Sequence, residues 1–77
     1  KRLIDFKFIN NNQILWAYSD NTIEHYDAQK KTTLKHWNTA KKTTLTKDNA
    51  TLITIGEYQQ KWWALDSSGR LFELGLL

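Results

Sequence analysis

Seventy-seven residues, 40% hydrophobic and 13% aromatic with a net charge of +3, describe one small folded domain and exclude a disordered tail. The absence of cysteine excludes both a disulfide and a thiolate zinc site. A chain this short buries only about 60–65% of its unfolded surface, so it needs a core of large side chains or a neighbour.

Strand signals run through the chain in order. Ile4, Phe6 and Phe8 alternate with Asp5 and Lys7, the period of two that turns one face of a strand to a core. Ile14, Leu15, Trp16, Ala17 and Tyr18 are apolar on both faces, which predicts a strand inside a sheet with Trp16 and Tyr18 in the core. Ser19, Asp20 and Asn21 supply turn chemistry, and residues 22–27 return as a half-polar strand. A polar break at residues 28–31 precedes a fourth strand over 32–37. Further strands are predicted over 43–46, 51–55, 62–66 and 70–74, separated by the turns 47–50 and 67–69. No window carries apolar residues at i, i+3, i+4 and i+7 over three turns, so the expected class is all-β across 1–77.

The apolar rhythm occurs twice. Segment 6–37 aligns without a gap on segment 43–74 at an offset of 37, pairing Phe8 with Leu45 and Leu15 with Leu52. Two other registers compete: KKTTL begins at both Lys30 and Lys41, and Trp16-Ala17 matches Trp63-Ala64. The 37 offset accounts for all eight strands together, and a period near 40 built of short strands marks stacked four-stranded sheets.

The stretch ILWAYSDNTIEHYDAQ, with Tyr26-Asp27 ending its third strand, resembles the WD-repeat β-propeller family. Trp62-Trp63 reaches the same place in the second copy; the family's Gly-His pair is in neither. The resemblance implies two four-stranded antiparallel propeller-like blades. Since propellers close with four to eight blades, it also implies a propeller fragment or an oligomerising two-blade unit. A small β-barrel or sandwich is the alternative architecture. The chain contains no methionine and opens on Lys1-Arg2, which reads as an excised or processed piece; its compartment is not legible.

Little in the sequence carries chemistry. The eight carboxylates sit mostly at turns and strand ends, where they cap backbone groups. His25 and His36 have no companion at a metal-ligating spacing, and no phosphate loop or nucleophile elbow is present. We therefore expect no enzyme, no catalytic or metal site and no cofactor.

Two features suit binding. Trp62, Trp63 and Trp37 are candidate partner-binding side chains, and only one of the adjacent pair can point into a given core. Lys30, Lys31, Lys35, Lys41, Lys42 and Lys47 gather in one stretch without an acid, a candidate surface for anions. The leading expectation is a protein-binding or self-associating assembly module. The alternatives are a small barrel binding nucleic acid or another anionic polymer through the lysines, and carbohydrate binding through a displayed tryptophan. No apolar run approaches the roughly 20 residues of a membrane-spanning helix.

Overall fold

The computed structural model describes residues 1–39 and 50–76. It is all-β, with no helix among the described residues. Strands β1 (Leu3–Phe8), β2 (Gln13–Tyr18), β3 (Thr22–Asp27) and β4 (Thr32–Asn38) form a first antiparallel sheet in the order β1-β2-β3-β4. Strands β5 (Leu52–Tyr58), β6 (Lys61–Asp66) and β7 (Leu71–Leu74) form a second, in the order β5-β6-β7. Neither sheet closes into a barrel, so of the alternative architectures the barrel is set aside, while two sheets packed over one core are compatible with the sandwich. The strand expected over 43–46 lies outside the described residues.

Short polar side chains set the turns. Asp20 Oδ1 accepts the Thr22 N–H while Asn21 takes a left-handed φ of 69°, a conformation that asparagine tolerates better than most residues. Asp27 Oδ1 accepts the N–H groups of Gln29 and Lys30, both at 3.0 Å. Asp66 Oδ1 does the same for Ser68 and Arg70, and its Oδ2 takes the Arg70 guanidinium at 2.9 Å. Asp27 and Asp66 end strands and Asp20 sits in a turn, as the sequence suggested, whereas Asp5, Glu24, Glu57 and Glu73 lie within strands, contrary to that expectation.

Among the described residues the hairpin registers of the two sheets correspond at 48 positions. In β2–β3, Ala17 faces Ile23, Trp16 faces Glu24, Leu15 faces His25 and Ile14 faces Tyr26. In β6–β7, Leu65 faces Leu71, Ala64 faces Phe72, Trp63 faces Glu73 and Trp62 faces Leu74, each residue 48 further on. The irregularity between Leu3 and Asp5 of β1 recurs between Leu52 and Thr54 of β5, 49 further on. The turns agree as well. The Asn21 N–H donates to Tyr18 O and the Gly69 N–H to Asp66 O, and both residues have positive φ. Ser19 bonds Arg2 as Ser67 bonds Thr51, with the serine N–H donating to the backbone oxygen at 2.7 and 2.8 Å. In return each hydroxyl accepts the partner's N–H, at 2.9 and 3.0 Å. Strand β5 thus answers to β1, where the 37 offset had matched it to β2.

The core lies between the sheets. Leu15, Ala17 and Ile23 from the first sheet meet Leu52, Ile55, Ala64 and Leu74 from the second, with Trp37, Trp62 and Phe72 packed around them. Strand β5 runs against β1 and β2. Polar ties stitch this seam. Asp5 Oδ2 accepts the Thr54 hydroxyl at 2.8 Å and the Ile55 N–H at 3.0 Å. The Asn21 amide accepts the Leu52 N–H and donates to Ala50 O, bridging the backbone as a strand would. Lys35 Nζ reaches across to Gly75 O at 2.8 Å.

Candidate association surfaces

Alternation gives each sheet a second face, and neither second face is covered by the other sheet. On the first sheet it carries Phe6, Phe8, Ile14, Trp16, Tyr18 and Tyr26, assigned by the pairs Phe6 with Trp16, Phe8 with Ile14 and Ile14 with Tyr26. Phe6 and Phe8 are exposed and contact each other edge to face, their ring centroids 6.0 Å apart. Trp16 stacks on Tyr26 at 5.1 Å and donates its indole N–H to Glu24 Oε1 at 2.9 Å. The Tyr18 hydroxyl donates to the same oxygen; burial, then the Glu24 charge, raises the pKa of this phenol above its usual value. The aromatic rings are therefore held in place before anything docks on them. The expectation that Trp16 and Tyr18 belong to the core is corrected. Their strand is central, but only its Leu15 and Ala17 side meets the other sheet.

On the second sheet the open face carries Tyr58, Trp63, Leu65 and Leu71. These line a groove of about 490 Å³ together with Gly56. Gly56 has nothing within 4 Å of where a Cβ would stand, so it opens the groove between its neighbours. The Trp63 indole N–H donates to Tyr58 O at 3.3 Å, which fixes one wall.

The adjacent tryptophans separate as period two requires. Trp62 packs on the core between the sheets, and Trp63 lines the open groove. Trp37 also packs on the core, with the Lys35 ammonium 5.5 Å from its ring centre. Lys30 and Lys31 are exposed at the β3–β4 turn, and Lys35 is engaged by Gly75. Lys41, Lys42 and Lys47 lie outside the described residues, so the six lysines are not seen as one surface. His36 is exposed, whereas His25 is buried with Nε2 2.8 Å from Gln13 Oε1. Burial lowers the His25 pKa; Asp27 opposes that shift and Lys35 adds to it. Among the described residues no three His, Asp or Glu side chains converge as a metal site.

The expectation that Phe6 and Phe8 face the core is corrected: paired with Trp16 and Ile14 they stand on the open face, and it is Asp5 and Lys7, opposite Ala17 and Leu15, that turn toward the seam. Tyr26 and Tyr58 were not singled out as binding residues. In β2 the pattern is visible in the sequence, where Trp16 and Tyr18 alternate with Leu15 and Ala17, which fill the seam. Comparison with family models, curated proteins and solved structures gave no match.

Proposed function

We propose that this chain is a non-enzymatic assembly module, a two-sheet piece of a propeller-like stack whose open end faces bind further protein. One observation carries the reading. The first sheet turns Leu15, Ala17 and Ile23 into the seam, while their counterparts 48 positions on, Trp63, Leu65 and Leu71, stand on the open face of the second sheet. The second sheet meets the seam with Trp62, Ala64, Phe72 and Leu74, whose counterparts Ile14, Trp16, Glu24 and Tyr26 form the open face of the first. The packing is front to back, and such packing does not terminate itself. A pair joined by equivalent faces would bury both and stop; a front-to-back pair leaves one face of each kind exposed.

Molar mass by light scattering across a dilution series tests the reading. Association that falls away on dilution and changes little between about 50 and 200 mM salt is expected of apolar faces, whereas phosphate contacts weaken steeply over that range. A folded chain that keeps the mass of one copy, 9.1 kDa, at every concentration overturns it.

A further inference from the structure

We infer that the occupant of the groove on the second sheet is the open aromatic face of the first sheet of another copy of this chain, joined head to tail. This rests on the assembly reading and gives it a partner and a geometry. Each open face continues the pattern of the seam already inside the molecule. There, a Leu15, Ala17 and Ile23 face receives a Trp62, Ala64 and Phe72 face. Between copies, the Trp63, Leu65 and Leu71 face would receive Ile14, Trp16 and Tyr26, each surface being the 48-position counterpart of one already buried.

The differences between counterparts compensate. The incoming face carries Trp16 where the internal seam has the small Ala64. The receiving face has Gly56 where the first sheet has Lys7, 49 positions earlier, and the groove opens there. The incoming face is bulkier than its internal counterpart, and the receiving face is more open than its own. Trp16 is already oriented by Glu24 and Tyr26, which lowers the ordering cost of docking it.

The polar stitching of the internal seam is not reproduced. Gly69 stands at the counterpart of Asn21 and Thr54 at that of Asp5, so neither the amide bridge nor the carboxylate tie recurs. The contact between copies is accordingly weaker than the internal seam and reversible on dilution. Because it is heterologous, with different patches on each side, it grows until a ring closes.

The test uses one substitution on each face, both at residues already exposed, so that folding is spared. Leu71→Asp charges the groove face; Leu71 is 59% exposed and is the counterpart of the fully buried Ile23. Phe6→Asp charges the aromatic face; Phe6 is 50% exposed and is the counterpart of the buried Ile55. Circular dichroism establishes that both variants remain folded. At concentrations where the unsubstituted chain associates, each variant alone should show the mass of one chain. Mixed in equal amounts, they should form a dimer that does not grow, since only one good face of each kind remains. An unsubstituted chain that stays a single copy removes the assembly reading together with this one. Association abolished by one substitution and untouched by the other shows like faces pairing, and a mixture that stays monomeric shows no pairing of unlike faces. Either result overturns the head-to-tail inference and leaves the assembly reading standing.

Discussion

Replacing Asp5 by alanine removes the carboxylate that ties β1 to β5, and the structure allows its cost to be worked out. Oδ2 accepts two donors from the second sheet, the Thr54 hydroxyl and the Ile55 N–H. Oδ1 serves the first sheet, accepting the Phe6 N–H and the Lys7 ammonium. The hydroxyl has a second acceptor in Ile55 O at 3.3 Å, so its loss contributes little. The Ile55 N–H lies in a residue only 2% exposed, where water cannot readily replace the carboxylate. A buried donor stripped of a charged partner costs about 2–4 kcal/mol, while a domain of this length is stable by roughly 4–12 kcal/mol in all. Urea unfolding followed by tryptophan fluorescence, at a concentration where the chain is a single copy, should show the midpoint falling by about 1–2 M. Lys7→Ala is the control, because its exposed pair with Asp5 is expected to contribute less than about 1 kcal/mol. If Asp5→Ala unfolds within about 0.5 kcal/mol of the unsubstituted protein, the carboxylate does not hold the sheets together and the seam is purely apolar.

Three further outcomes are expected. Gln59 and Gln60 join β5 to β6 with φ of 51° and 64°, so Asn-Gly at these positions should stabilise the fold by about 1 kcal/mol and raise the melting midpoint by about 4–8 °C; a fall in the midpoint contradicts the turn assignment. Asn21→Gly keeps the left-handed backbone but loses the bridge to Ala50 and Leu52, while Asn21→Ala loses both, so alanine should be the more destabilising by about 1 kcal/mol in urea unfolding; equal losses would assign the whole effect to the bridge. Burial holds the His25 pKa below the usual 6.5, so the folded protein takes up fewer protons than the unfolded chain. The stability this contributes is complete above pH 6.5 and is lost as pH falls through the lower folded value, so the melting midpoint should drop between pH 7.5 and 5.5, and His25→Gln should flatten that dependence. Asp5 and Asp66 act in a separate window. Burial would raise both, but hydrogen bonds hold both below 3.8, so their contribution is lost only under strongly acid conditions.

Secondary structure was legible because period-two alternation and turn residues are local signals. Residues 22–27 were predicted as a strand and form β3 with those bounds. The second sheet was less legible at β5, which was expected to end at Ile55 before Gly56. It continues to Tyr58, because Gly56 lies within a paired strand, facing Trp63 of β6, rather than at a turn. The 37 offset of the sequence and the 48 of the hairpin registers both fit the apolar rhythm for a physical reason. A slip of a whole strand still lays apolar segment on apolar segment, so rhythm alone cannot distinguish β5 matched to β2 from β5 matched to β1. What separates them is backbone detail: the shared irregularity near Asp5 and Thr54, the left-handed Asn21 and Gly69, and the paired serines Ser19 and Ser67. Of these, only the two serines are identical residues.

The surfaces were harder to read than the strands because exposure is a property of the neighbour. Leu15 and Trp63 occupy the same place in their sheets, each opposite a residue of the following strand in the same register. Leu15 has no exposed surface, since the second sheet lies over it, whereas Trp63 lines an open groove. Ile23 and Leu71 repeat the contrast, fully buried in one sheet and 59% exposed in the other. Residue type does not distinguish the members of either pair; all four are apolar, and all four are suited to burial. A sequence records that a strand has two faces fit for a core, as Trp62 and Trp63 do side by side, but the number of sheets in the stack decides which face is covered. With two sheets present, two such faces remain open, one aromatic and the other hollow, and each is the counterpart of a surface that is buried elsewhere in the same chain.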